Sequence, residues 1–591
     1  MKRISLLASL KFFTWIISLA ILTSCSRNIS SVSTSIDKHI DSALLAPAPV
    51  AIAKSISIDT VAHPVNKSFS SIINPYYKQR VGEKTTQFYR SNGFQTKWLF
   101  DNAAGSLYYT VMETLENSWR YGLVPDEYDV NAIEARFQTI YKDNPASMAE
   151  VVALDIHITE MYFLFTTHLM EGKVRNVGTA KYVWKRPIKT YAPVDVSSLV
   201  DAHSADQLMG AIEKLQPASD EYVRLQKALD QYRLLELSAP RNFPMIVVTG
   251  KIKPEDRHNA IPLVRRKLAL TDLKTYPMIY DSVRGSFDST KYDLALVDAV
   301  KFFQMRHGLE ADGVIGEKTL KFLNQSFHEK AEVIALNMER MRWATENYGD
   351  NYIRVNIPEY KMRVYENKKQ ELEMRVIVGA AGKATPIFSD ELEHIVFSPT
   401  WTVPVSIIRE EIIPRLRQDS AYYANKNYTF FKNEVAIDPT MESWKGDNVN
   451  PYQYRVVQNP GPDNSLGLVK FIMPNNMSVY LHDTPNHRLF SKDYRALSHG
   501  CVRLAEPAKF AAYLLKDQQG WTPERITKAM SGTAPATVHL KKRFEVHLEY
   551  LTAWVDDNGT VNFREDIYGH DRMQLTQLRP VAGASATFLG M

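Results

Sequence analysis

Cysteine is nearly absent from this chain: Cys25 and Cys501 are the only two in 591 residues. That scarcity excludes a disulfide framework as the source of stability. A dense Lys/Arg stripe interleaved with aromatics is also missing. The net charge of +5 is mild for this length and leaves no nucleic-acid footprint. Paired Cys/His spacings of the structural zinc kind are lacking, so the motif residues around Cys501 read as metal-free. The acidic stretch Asp556-Asp557-Asn558-Gly559 lacks the further oxygen ligands that a calcium loop needs. It reads instead as the Asn-Gly turn of a β-hairpin.

Hydrophobic residues make up 45% of the chain and aromatics 11%, enough for several cores; the length suggests two to four domains. Residues 1–25 have the layout of an export signal. Lys2 and Arg3 precede a largely apolar run from Leu6 to Leu22, which ends in Leu22-Thr23-Ser24-Cys25. The flank that follows is polar, with no stop-transfer run, which fits a cleaved signal better than a membrane span. The stretch resembles a bacterial lipoprotein signal. That resemblance implies lipidation at Cys25 and membrane attachment through several acyl chains. Ser26 is not acidic, and by resemblance to the sorting rule of many Gram-negative bacteria this implies the outer membrane and hence a periplasm-facing, lipid-anchored protein of the cell envelope.

The pattern along the rest of the chain predicts a multidomain α+β protein. Residues 26–70, rich in small residues with scattered prolines, read as a flexible tether. Residues 71–250 show helical spacing, as in Tyr108, Val111, Met112 and Leu115, or Leu154, Ile158, Met161, Tyr162 and Phe165. They predict a helical scaffold domain, with a helix stop at Gly122 before Pro125. Residues 258–325 form a compact helical unit. In it Phe303-Gln304, Gly308-Leu309, Asp312-Gly313, Ile315-Gly316 and Thr319 resemble a three-helix peptidoglycan-binding module.

From residue 352 the period falls to two, as in Ile353, Val355 and Ile357 or Leu372, Met374, Val376 and Val378. This predicts half-buried strands and a mostly-β, sandwich-like domain over 352–545. A segment at 404–463 interrupts it. That segment starts as a helix which Pro414 should kink, and it carries Tyr422, Tyr423, Trp444 and Tyr452. Its aromatic load predicts a folded lid over a cleft. Residues 507–530 are expected to be helical, 546–571 to form a C-terminal hairpin, and 572–591 to be a loose tail.

Cys501 lies in Ser498-His499-Gly500-Cys501-Val502-Arg503, and His482 precedes it by 19 residues, at the end of the apolar strand Val479-Tyr480-Leu481. A free thiol titrates near ~8.5 and is inert until ionised. A histidine at a rigid strand end can take its proton, provided that a third group orients the ring. Gly500 lets the backbone turn so that the Gly500 and Cys501 amides face a developing oxyanion, an arrangement worth roughly 2.7–4 kcal/mol per donor. A papain-like order is excluded because there the histidine follows the cysteine.

The pattern resembles the L,D-transpeptidases of the YkuD-type catalytic domain, and in particular their large, lid-bearing lipoprotein members. Gly382-Lys383, Thr385-Pro386, Pro399, Trp401, Val403-Pro404, Gly461-Pro462 and His482-Asp483-Thr484-Pro485 extend the likeness. It implies that Cys501 is the nucleophile, that His482 is the general base and that Asp483 orients the imidazole through its backbone carbonyl. It further implies that Ser498, Gly500 and Cys501 shape the oxyanion site. Arg503, His499, Trp401 and Tyr480 would support the loop or the substrate. The partners implied are peptidoglycan stem peptides and glycan, with β-lactams, carbapenems above all, as inhibitors; no cofactor is needed. A hydrolase or carboxypeptidase, an enzyme attaching protein to the wall, and an inactive structural tether remain alternatives.

Overall fold

The structure, a computed structural model, describes residues 82–579 except 100–103, 143–147, 176, 179–182, 186–195, 239–242, 273–287, 344–347, 424–425 and 446–448. The export signal with Cys25, the 26–70 tether and the chain beyond residue 579 lie outside the described residues.

The helical spacing of the N-terminal part yields helices α1 (Glu83–Ser91), α2 (Ala104–Glu116), α3 (Val130–Lys142), α4 (Met148–Glu171), α5 (Val196–Val200), α6 (Ala205–Glu213) and α7 (Asp220–Ser238). Phe88, Tyr108, Val111, Leu115, Leu154, Ile158, Tyr162 and Phe165 share one core. Gly122 closes a short 3-10 turn at φ +69°, a left-handed value that favours glycine, and Pro125 opens the next turn. Buried Asp155 of α4 pins the 94–98 segment. It accepts from the Tyr89 hydroxyl at 2.6 Å and from the Lys97 and Trp98 amides at 2.9 and 2.8 Å.

Among the described residues the compact unit has three helices, α8 (Ile261–Asp272), α9 (Leu294–Arg306) and α10 (Glu317–Leu323). The residues that carried its resemblance hold its own loop together. The Gln304 amide donates to Asp312 Oδ1 and to the Val314 carbonyl, each at 2.9 Å, and accepts from the Gly313 N–H at 2.8 Å.

A long helix, α11 (Phe327–Trp343), follows, which the apolar periodicity did not announce. Its buried positions include charges. Arg342 and Glu339, both without exposed side-chain surface, pair at 2.9 Å, and Arg340 bonds Asp571 at 2.7 Å. Glu339 also accepts from the Val174 N–H at 2.8 Å. The helix thus ties the scaffold to the C-terminal segment. Buried charges stay tolerable when each finds a partner and further hydrogen bonds.

The β domain is a nine-stranded sheet that closes on itself. Its strands are β1 (Asn351–Asn356), β2 (Lys361–Glu366), β3 (Lys369–Gly379), β4 (Phe388–Phe397), β9 (Val469–Ile472), β10 (Leu481–His482), β11 (Ala496–Ser498), β12 (Val502–Leu504) and β13 (Ala536–Glu549). The order β11-β3-β12-β10-β9-β4-β13-β1-β2 returns to β3 through the β2–β3 pairing, so the sandwich-like body is a flattened barrel. Ile353, Val355, Val376, Ile395, Phe471, Leu481, Val502 and Val546 fill it. Helices α12 (Pro507–Leu515) and α13 (Pro523–Met530) pack on it through Phe510, Leu514 and Ile526.

Two expectations change. Residues 546–549 belong to β13, which pairs along β4 and β1, so the hairpin proper is β14 (Ala553–Val555) with β15 (Val561–Phe563). The tail expected to be loose from 572 continues helix α14 (His570–Leu578), because Gln574 and Leu578 are buried and Asp571 is held by Arg340. The described residues of the 404–463 insertion fold around strands of their own. β5 (Trp401–Thr402), β6 (Tyr428–Lys432), β7 (Val435–Ile437) and β8 (Tyr454–Gln458) form a small sheet of their own. The helix before it contains a π turn at Ile408–Ile412 directly ahead of Pro414, which accommodates the missing N–H without breaking the helix. Ile408, Ile412, Leu416, Phe430, Trp444, Tyr454 and Val456 form the core of this insertion. Most of its aromatic load therefore folds the insertion itself, while Tyr452 is exposed.

Candidate active site

Three adjacent strands assemble the site. In β10, His482 lies opposite Lys470 of antiparallel β9 and opposite Arg503 of parallel β12. Directly opposed residues project from the same face. Lys470, His482 and Arg503 therefore stand in a row, with Val469 and Phe471 turned into the core. Cys501 immediately precedes β12. The Val502 N–H donates to the Tyr480 carbonyl at 3.2 Å, setting the thiol beside Tyr480.

Cys501 is a free, partly exposed thiol. Its sulfur lies 3.7 Å from the Ser478 carbonyl. His482 is 3% exposed, and its Nδ1 lies 2.5 Å from the Asp483 carbonyl oxygen. Among the described residues no hydrogen bond joins His482 to Cys501. The Tyr480 ring centroid lies 5.7 Å from that of the imidazole.

The electrostatics follow from enclosure. Burial pulls the His482 imidazole down to about 3, and the Arg503 guanidinium adds to this; the ring is neutral at physiological pH. Burial raises the Cys501 thiol, opposed by the neighbouring Tyr480 and by the charges of Arg503 and Lys470. Burial also lowers both Lys470 and Arg503 from their usual ranges.

The loop bearing the thiol is braced from below. Gly500 sits at φ +121°. Its N–H donates to Ser498 Oγ at 3.1 Å, and Ser498 Oγ donates to the Cys501 carbonyl at 2.6 Å. The Gly500 amide, expected to face an oxyanion, is thus spent on Ser498, leaving the Cys501 N–H as the motif's available donor. Thr385 joins this loop to the barrel. Its hydroxyl donates to the Gly500 carbonyl and accepts from the Gly379 N–H, both at 2.8 Å. Gly379 admits no side chain, since a Cβ would lie 2.1 Å from the Lys383 carbonyl oxygen.

Asp483 uses its carboxylate to accept from the Leu468 and Thr484 amides at 2.8 and 2.7 Å, which fixes the carbonyl that holds His482. Gly467, at φ +64°, makes room for it; a Cβ there would lie 2.4 Å from the Asp483 carboxyl carbon. His499 points away from the thiol and meets the insertion, with Nε2 2.5 Å from Glu411 Oε1. Lys383 bridges Glu410 and Glu411 at 3.3 Å each. Trp401 packs against the core of the insertion. Lys470, Thr385 and Glu411 were not predicted as site residues. The signal for Lys470 was present, as a lysine in the middle of the apolar run 468–472; the roles of Thr385 and Glu411 depend on contacts made across the fold.

Fold and site together define a multidomain α+β protein whose β-barrel domain presents a single free thiol on a braced turn, beside a buried histidine. Residues 350–530 match the family model described as the L,D-transpeptidase catalytic domain (YkuD), and the chain carries that domain. Residues 83–229 match a scaffold domain, and 269–323 match a "putative peptidoglycan binding domain". A Haemophilus influenzae protein named "Putative L,D-transpeptidase" is 38% identical over 240 residues, 40% of this chain and 48% of that protein. The chain therefore spans about half the length of this curated relative. An L,D-transpeptidase (Yku) structure from Stackebrandtia nassauensis is 16% identical, covering 52% of this chain and 96% of its own, with a TM-score of 0.19. An L,D-transpeptidase from Xylanimonas cellulosilytica gives 11%, 51%, 99% and 0.15.

Proposed function

We propose that this protein forms 3→3 cross-links in peptidoglycan through a thioester on Cys501. The observation that carries the reading is the Cys501 turn itself, a free thiol on a loop held by Ser498 and Thr385, beside Tyr480 and a neutral His482. The thiolate attacks the carbonyl of the third residue of a tetrapeptide stem. The bond to the terminal D-alanine breaks, D-alanine leaves with a proton, and a thioester remains. The side-chain amine of a neighbouring stem then attacks the thioester, losing a proton as the new amide forms and the thiolate departs.

His482 is the general base. Its Nδ1–H is committed to the Asp483 carbonyl, which fixes the tautomer that leaves Nε2 to accept a proton. Nε2 takes the thiol proton as substrate tightens the site. The Cys501 N–H steadies the oxyanion. The insertion at 404–463 acts as a lid, held near the thiol loop by Glu411 on His499 and Lys383, and limits competing hydrolysis by water. We further propose that lipid on Cys25 anchors the enzyme in the periplasm, at the outer membrane, and that carbapenems acylate the same thiol.

Intact-mass measurement after mixing with a defined tetrapeptide stem tests the chemistry. An adduct on the wild type that Cys501→Ala abolishes is expected. An equal adduct on Cys501→Ala would overturn it.

A further inference from the structure

We propose that Lys470 and Arg503 together bind the C-terminal carboxylate of the donor peptide, the one that departs with the leaving residue, and that Lys470 is therefore a specificity-determining residue. This rests on the acyl-transfer reading above and deepens it. Three observations on the structure support it.

The first is placement. Lys470 and Arg503 flank His482 on either side in strict register, and Arg503 is two residues from the nucleophile. The neighbours of Lys470 in β9, Val469 and Phe471, are fully buried in the barrel core, so the lysine stands on the opposite face with His482. Its ammonium lies 5.7 Å from the centroid of the ring of Tyr480, whose carbonyl accepts from the amide that follows Cys501.

The second is the want of a counter-charge. Among the described residues no carboxylate lies within ion-pair distance of either cation, although ion pairs are common elsewhere in this domain, as at Lys361–Glu373 or Arg354–Glu549. The Arg503 Nε is buried without a hydrogen-bond partner among the described residues. An enclosed cation with an idle donor costs stability unless something else supplies the charge and the acceptor. The imidazole between the two cations is neutral and contributes no competing positive charge.

The third is reach. In a peptide attacked at its penultimate residue, the terminal carboxylate carbon lies at most about 4 Å from the attacked carbonyl carbon, three bonds away. With that carbonyl at the sulfur, a carboxylate falls over the row formed by β12, β10 and β9, where neighbouring strands are about 4.8 Å apart. The arrangement accepts a peptide acid and disfavours the corresponding amide, which would leave both cations without a partner.

Two haloacetates test this without any peptide. Iodoacetate and iodoacetamide alkylate the same thiolate and differ in the negative charge beside the reacting carbon. The ratio of their rates at Cys501 therefore cancels any change in thiol ionisation or exposure. Lys470→Gln should lower the iodoacetate-to-iodoacetamide ratio roughly tenfold, the effect of removing one charge at about 6 Å in a partly screened site; Lys470→Arg should keep it. With peptide donors, the preference in kcat/KM for a tetrapeptide acid over its C-terminal amide should shrink by a similar factor in Lys470→Gln, and not in Lys470→Arg. A merely structural lysine would slow both alkylations alike, and an unchanged ratio overturns the proposal. If neither peptide acylates the wild type, the acyl-transfer reading fails, while the haloacetate ratio still decides whether Lys470 and Arg503 hold an anion.

Discussion

Replacing Thr385 by valine removes one oxygen and changes little else in shape. Thr385 is 1% exposed, and its hydroxyl bridges the Gly379 N–H of the barrel strand β3 and the Gly500 carbonyl. Valine leaves the Gly379 N–H and the Gly500 carbonyl unpaired. Each unpaired buried group costs about 1–3 kcal/mol, so the local loss should be roughly 2–4 kcal/mol once the loop relaxes. At 1.4 kcal/mol per factor of ten, the Gly379 amide should exchange with solvent at least about 25-fold faster, measured by deuterium uptake of a peptide covering 376–388. The Cys501 amide, carried on the same loop, should lose its aim. Carbapenem acylation followed by intact mass should then slow by roughly 10- to 100-fold, a fraction of what one oxyanion donor contributes. Thr385→Ser, which keeps the oxygen, should restore most of both. Exchange within twofold of wild type would refute the claim that this hydroxyl positions the nucleophile loop.

The other predictions concern charge and access. Alkylation of Cys501 by iodoacetamide should rise with pH about a midpoint above the ~8.5 of a free thiol, since burial raises it, with no step between pH 5 and 7.5. A step near 6.5 would reveal an imidazolium–thiolate pair and contradict the neutral His482. Because the His482 pKa is about 3 in the folded state and near 6.5 unfolded, the stability it contributes is complete above 6.5 and declines as pH falls toward 3. Wild-type unfolding free energy should show that decline, and His482→Asn should flatten it. His482→Ala should slow acyl transfer at least about 100-fold, whereas His499→Ala, which loses only a contact to Glu411, should slow it less than about threefold. Glu411→Gln weakens the bridges to His499 and Lys383 and should raise hydrolysis relative to transfer in product analysis; an unchanged ratio would mean that the insertion does not gate the site.

The legible parts of this chain are those where one physical rule dominates. Helical spacing gave the scaffold, Asn558-Gly559 gave the hairpin, and the alternation from Ile353 gave β1. Helix α11 was invisible because Glu339, Arg340 and Arg342 interrupt its apolar face, and their burial depends on one another and on Asp571 and Val174, which are far away in sequence. Strand β13 was missed because Lys541, Lys542 and Arg543 mask its inward residues; in the fold Lys542 reaches Glu366 and Arg543 reaches Glu391. Within the site, Cys501 and His482 stood out as residue types at a spacing. The use of the Gly500 amide by Ser498, and of Thr385 as a brace, depend on hydrogen bonds that no local pattern encodes.

The most direct measurement is the linkage of the product made from defined stems. Purified enzyme should be mixed with a tetrapeptide donor and an isotopically labelled acceptor stem, and the cross-link sequenced by tandem mass spectrometry. The account predicts loss of D-alanine and a new amide between the third residue of the donor and the side-chain amine of the third residue of the acceptor, absent with Cys501→Ala. A cross-link from the fourth donor residue, or release of D-alanine with only hydrolysed tripeptide, would contradict it.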